Sequence, residues 1–300
     1  MIGYVAPSAL LLIPLLAREV GIFEKHGLDV DAVLMNGSSR LVQSLIAGDF
    51  DYVVAGAAPL LRARIDGADP VILAAATNYT SQRIMVRTNA GIRRLQELDG
   101  RIVGVSQYGS EGDTFLRTLL RRVGLQPDTD VTIVQSGAGL TTLQALAAGE
   151  IQAAAMGSAA AIAAKQIGAV ELANGQDRQV FALMGAVATT RRKINRDRPE
   201  VVEFMRAYVE GIHFFKTNRE ASIRIMQKLM GRLPSKTISV LYDEAKDLYQ
   251  PLPTPAHEAV QAVLDREADP KAGAFEVSDF VDLSFLGEIE QSRFLEQLYQ

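Results

Sequence analysis

The residues able to do chemistry in this chain are small and sit where strand-like runs end. One group is Pro7-Ser8-Ala9, Gly37-Ser38-Ser39 and Gly56-Ala57; a second is Ser106-Gln107-Tyr108-Gly109-Ser110, Ser136-Gly137 and Gly157-Ser158. Helical apolar spacing follows each of them. Small residues there let a ligand approach helix-start amides, which favour an anion. Any one member could equally serve a turn or an N-cap. As a set they predict a ligand cleft. Ser38 or Ser39 could cap the helix running to Ala47 or touch the ligand. Asn78 and Tyr79 lie in a polar break and join the candidates. Tyr108, the lone aromatic of the second group, could cover a ligand or its own core. Arg83 could hold a carboxylate or sulfonate, or sit solvated on a strand edge. Asp113 reads as a first-turn dipole partner; pointing into the cleft, it would disfavour an anion. Ala9 to Leu12 could give the cleft an apolar wall.

Other chemistry is hard to build from these residues. There is no cysteine, which removes disulfides, Cys-based metal sites and thiol nucleophiles. The histidines, His26, His213 and His257, are far apart and in no ligand-like spacing. No metal, cofactor or catalytic residue is expected. The absence of Trp and the 6% aromatic content argue against a base- or sugar-stacking surface. A net charge of −4 gives no reason to expect nucleic acid or an anionic membrane. With 48% apolar and 22% charged residues, the 300-residue chain can bury a sizeable core, as two domains or one large one. Ala9 to Ala17 is apolar but broken by Pro14 and stopped by Arg18-Glu19, too short to cross a membrane, and reads as a buried first helix.

The elements that must position the candidates are set out by an internal repeat. Residues 29–68 and 130–169 align without a gap at an offset of 101, with 12 of 40 positions identical, among them Gln43/Gln144, Gly48/Gly149, Gly56/Gly157 and Gly67/Gly168. Each copy reads strand, helix, strand, helix, the first helix stopped by Gly48 or Gly149. A further strand and helix precede each copy: Ile2 to Ala6 with Leu11 to Val20, and Ile102 to Ser106 with Thr114 to Val123. Alternating strands and helices predict α/β lobes with parallel sheets covered on both faces. The extended stretches 71–87 and 180–189 read as crossovers between the lobes. Helices follow at 200–217, 219–230, 235–249, 255–267 and 280–298 and are expected on the first lobe. The expected division is lobe one over 1–82, lobe two over 83–187 and a return to lobe one over 188–300.

Several of these segments resemble a known family. Leu16 to Val30 (LAREVGIFEKHGLDV), Leu41 to Asp51 (LVQSLIAGDFD), Gly56 with Ala57-Ala58-Pro59, and Leu98 to Val105 (LDGRIVGV) occur in the order found in ABC-transporter solute-binding proteins of the sulfonate/nitrate/taurine and thiamine-precursor (NMT1/THI5-like) type. Thr254-Pro255 and Asp279 to Phe285 resemble a subgroup of it. The resemblance implies a type II periplasmic-binding-protein fold: two similar α/β lobes with a hinge, a C-terminal helical segment and the ligand in the cleft between lobes. It implies a non-catalytic periplasmic receptor, a monomer, that hands a small solute to a membrane permease. The small loop residues, helix-start amides and few charged side chains allow a sulfonate, a carboxylate, nitrate or a neutral heterocycle, and lean towards a small organic anion such as a sulfonate or carboxylate. The strand-like opening at Ile2 would suit a chain from which an export signal has been removed. Two other readings remain. A pyrimidine-precursor-binding or -synthesising relative is disfavoured as an enzyme, because the resemblance implies histidine and a cysteine-rich loop in such enzymes. The effector-binding domain of a transcription regulator would need a helix-turn-helix ahead of Ile2.

Overall fold

The computed structural model describes residues 1–5, 8–137, 139–231 and 233–300. Ala6 and Pro7, named above in a strand and a loop, lie outside the described residues. The chain runs β1 (Ile2–Tyr4), α1 (Ile13–Glu19), α2 (Ile22–Lys25), β2 (Ala32–Leu34), α3 (Ser38–Ala47), β3 (Tyr52–Ala55), α4 (Ala57–Ile65) and β4 (Pro70–Tyr79). It continues with β5 (Arg83–Arg87), β6 (Ile102–Val105), α5 (Glu111–Arg122), β7 (Thr132–Gln135), α6 (Leu140–Ala148), β8 (Ala153–Met156), α7 (Ser158–Gln166) and β9 (Ala169–Asn174). The last part is β10 (Phe181–Thr190), α8 (Arg191–Arg196), α9 (Arg198–Thr217), α10 (Arg219–Leu229), α11 (Ser235–Leu248), α12 (His257–Leu264), α13 (Ser284–Gln291) and α14 (Phe294–Leu298).

Two units form, Met1–Asn78 with Ala182–Gln300, and Tyr79–Phe181. The chain passes between them at 78/79 and 181/182, against 82/83 and 187/188 expected from the sequence. The difference follows from the ten-residue strands β4 and β10, which lie in the sheet of the first unit. The units carry one sheet each, ordered β2-β1-β3-β10-β4 and β7-β6-β8-β5-β9. The repeat is visible strand by strand: β3 and β8, and α4 and α7, start and end at the 101-residue offset. The glycines that stop α3 and α6, Gly48 and Gly149, have φ of +92° and +83°, a conformation in which a Cβ would be strained.

The sheets are mixed, which corrects the all-parallel expectation. β1, β2 and β3 run parallel, as do β6, β7 and β8. β10 joins β3 antiparallel (Val187 opposite Val54), and β5 joins β8 antiparallel (Ile84 opposite Ala155). In both sheets the reversed strand comes from a stretch outside the repeat. Both faces of the second sheet are covered. Ala153 and Ala155 of β8 face a core with Phe115, Leu116 and Leu119 of α5, while Ala154 and Met156 face Leu146 and Ala164. This two-residue alternation is the strand period.

The first unit is completed by the C-terminal helices. α1 buries Ile13 to Ala17, and no helix among the described residues is long and apolar enough to cross a membrane. Phe204 of α9 stacks on Tyr52 of β3 with ring centroids 3.6 Å apart and on Phe23 of α2 at 5.6 Å. Val281 bridges to Ile72 of β4. The expected last helix over 280–298 is two helices, broken where Arg293 adopts a left-handed φ of +57°.

Candidate functional site

Parallel strands β6, β7 and β8 end on one side of the second sheet, and α5, α6 and α7 begin there. The first turn of a helix leaves amides without helical partners. Three such turns surround a cavity of about 250 Å³ in the second unit. α5 contributes Ser110, Glu111 and Gly112; the turn into α6 contributes Gly137, Gly139 and Thr142; α7 contributes Gly157 and Ala160. Ser106, Gln82, Ala155 and Met156 complete the wall.

The turns are held from within. Ser110 caps α5, its Oγ accepting the Asp113 amide at 3.3 Å. The buried Thr142 donates its hydroxyl to the Gly137 carbonyl at 2.6 Å and meets Ser136 Oγ at 3.1 Å. Gly112 is small for a reason: a Cβ there would lie 3.3 Å from the Ala155 carbonyl oxygen.

Of the residues expected from the sequence, Ser106, Ser110, Gly137 and Gly157 line this cavity; Tyr108, Gly109 and Ser158 do not. Tyr108 is turned to the edge strand β7, where its hydroxyl donates to the Ile133 carbonyl at 3.1 Å, and the residue is 53% exposed. It is neither a core residue nor part of the cavity wall. The Gly109 amide donates to Asp113 Oδ2 at 2.8 Å. Asp113 is itself buried and takes Arg117 Nε at 2.7 Å, so its carboxylate is engaged away from the cavity.

Arg83 is not solvated on a strand edge. It pairs with Glu171 at 3.1 Å and donates to Ser158 Oγ at 2.6 Å and to the Ser81 carbonyl at 3.3 Å, with its side chain only 13% exposed. Burial would raise the Glu171 carboxyl, but hydrogen bonds from Asn174 and Lys165 and the Arg83 charge outweigh it and hold it below the usual glutamate range. Arg83→Ala should therefore lower unfolding stability by about 2–3 kcal/mol, measured by urea denaturation, because among the described residues Glu171 then keeps Lys165 alone as an ion-pair partner. A loss under about 0.5 kcal/mol would mean that the pair is a solvated one.

In the first unit the candidates lie on separate tasks. Ser38 begins α3 after the N-cap Gly37 and does not cap it; its Oγ accepts the Gly56 amide at 3.1 Å, joining the starts of α3 and α4. Ser39 is exposed and Ala57 is buried. The Ser8 carbonyl accepts the Leu11 amide at 3.0 Å. Ala9 is buried, and its carbonyl takes the Tyr249 hydroxyl at 3.1 Å. Both ends of the Asn78 amide are engaged, Nδ2 on the Thr254 carbonyl at 2.9 Å and Oδ1 on the Ala256 amide at 2.8 Å. Asn78 thus holds the Thr254-Pro255 turn. A groove of about 610 Å³ beside β2, lined by Leu34, Met35, Arg40 and Gln43 among others, includes none of the candidates.

Sequence reasoning missed Gln82, Glu111, Gly139 and Thr142. Gln82 lies in the polar break between β4 and β5, and Glu111 stands with Asp113 in the first turn of α5. Glu111 is the acid that lines the cavity, and no Lys, Arg or His lines it among the described residues. An anion about 4 Å from a carboxylate is repelled by about 4 kcal/mol at an effective dielectric of about 20. One helix start returns about 0.3–2 kcal/mol. The cavity accordingly favours an acid group beside α6 and α7 and disfavours one beside Glu111. Among the described residues no three His, Cys, Asp or Glu side chains are placed to hold a metal ion.

The model of the family described as NMT1/THI5 like matches residues 12–222. A Brucella abortus (strain 2308) protein named "Putative binding protein" is 30% identical over 234 residues, covering 76% of this chain and 70% of that protein. The periplasmic aliphatic sulphonate binding protein SsuA of Escherichia coli superposes with a TM-score of 0.69 at 22% identity, covering 91% of this chain and 85% of that one. A mutant of DSZB in complex with biphenyl-2-sulfinic acid superposes with a TM-score of 0.68 at 17% identity, covering 97% of this chain and 99% of that one. At these identities the structural likeness establishes the fold, a type II periplasmic-binding-protein fold.

Proposed function

Because this chain belongs to the NMT1/THI5-like family, we propose that it is the solute-binding component of an ABC importer, periplasmic and non-catalytic, which takes a small organic anion such as a sulfonate or carboxylate and passes it to a membrane permease. The observation that carries the proposal is the convergence of three helix starts on one cavity whose wall has hydroxyls and glycines but, among the described residues, no histidine or cysteine. Unpaired amides at helix starts suit oxyanions. The binding name of the Brucella relative and the sulfonate and sulfinate ligands of the structural relatives lean the same way.

Catalysis finds little support in the same wall. The Ser110 hydroxyl is committed to the α5 cap, and the Thr142 hydroxyl to the Gly137 turn. Neither is paired with a histidine base, as an activated hydroxyl nucleophile would be.

A thermal-shift screen of the purified protein against sulfonates, carboxylates, inorganic anions and pyrimidines tests the proposal. A solute at 100 times its Kd should add about 2.7 kcal/mol of stability. Mass spectrometry of the solute recovered after long incubation should find it unchanged. Conversion of the solute, or stabilisation by pyrimidines alone, would overturn the assignment.

A further inference from the structure

We propose that Glu111 is a specificity-determining residue: it selects organic acids that also carry a positively charged or N–H-donating nitrogen, and it rejects the bare acids. The inference rests on the solute-binding reading of the same cavity and names the class of solute within it.

Glu111 is the sole ionisable side chain in the wall among the described residues. Its carboxylate is fixed in place: Oε1 accepts the Thr80 hydroxyl, and Oε2 accepts Gln82 Nε2 at 3.4 Å. Thr80 is buried, so the residue that orients Glu111 is itself locked. A carboxylate offers about four acceptor positions. Two are used, and among the described residues no arginine or lysine pairs with Glu111. Arg117, the cation nearest in sequence, is committed to Asp113 and Asp128, and Arg83, one residue from Gln82, pairs with Glu171. The cavity therefore has two poles: amides at the starts of α6 and α7, which suit an acid group, and an uncompensated carboxylate at α5, which suits a donor nitrogen. A bare sulfonate or carboxylate satisfies only the first pole and adds a like charge to the second.

Titration calorimetry on the full chain with matched solutes tests this: propanesulfonate and butanoate, each against its ω-amino derivative. The ω-amino members should bind about 10- to 150-fold more tightly than their parents, as hydrogen bonds to a charged group allow. In Glu111→Gln, which keeps the shape and an acceptor for Thr80, that preference should vanish, with the parents binding as well as in the wild type or better. Parents that bind the wild type as tightly as the ω-amino members would overturn the role of Glu111 and leave the anion-receptor proposal standing. Failure of all four to bind would overturn the anion-receptor proposal and the inference with it. A preference that survives in a folded Glu111→Gln protein would move the selection to another residue. A wild type without the preference overturns the inference even if Glu111→Gln does not fold, and Glu111→Ala, read the same way, then serves as the second variant.

Discussion

Phe204→Ala should cost the protein about 3–5 kcal/mol of unfolding free energy, the range for deleting a buried aromatic ring. Phe204 is fully buried in α9 and stacks between Tyr52 of β3 and Phe23 of α2. One ring thus joins the C-terminal helical segment to the first sheet and to an N-terminal helix. Domains of ordinary stability have about 5–15 kcal/mol in all, so the variant should lose roughly a fifth or more of its margin. Urea denaturation followed by circular dichroism gives the value. A loss below about 1 kcal/mol would mean that α9 is not held to β3 and α2 through this ring.

Ala160→Trp should abolish solute binding while leaving the fold in place. Ala160 is half-buried in the first turn of α7 and faces the cavity of about 250 Å³. An indole there takes much of that volume, so the affinity should fall at least about a hundredfold, roughly 2.7 kcal/mol. Unfolding stability should move by less than about 1 kcal/mol, as for most substitutions outside a packed core. Ile167→Trp is the control: Ile167 is 49% exposed in the same unit and lies outside the cavity wall. Its affinity should be unchanged. Equal loss in both variants would mean that the effect is not at the cavity.

The architecture was largely legible because it is repeated. Two copies at one offset fixed β3 with β8 and α4 with α7, and the paired glycines marked where helices stop. Strand direction was not legible. β5 and β10 carry the same β-forming residues whether they run parallel or antiparallel, since alternation reports faces and not direction. The site was legible only in part, for a related reason. Turn residues in sequence mark strand ends, and Ser106, Ser110, Gly137 and Gly157 follow from that. Long side chains go where their partners are, and those partners are distant in sequence. Arg83 finds Glu171, 88 residues away, and Asn78 finds Thr254, 176 residues away. Tyr108 finds a carbonyl on the edge strand. Glu111 was hidden among first-turn acids because only the fold brings Thr80 and Gln82 onto it.

The central claim is that one small solute binds, unchanged, among the starts of α5, α6 and α7. A crystal structure of the protein grown with the solute that stabilises it most would test this directly. The account predicts the intact solute in contact with Ser110 and Glu111, Gly137 and Thr142, and Gly157 and Ala160, with its acid group on the amides of α6 and α7. A solute seated in the groove beside β2 instead, or found there as a reaction product, would contradict it.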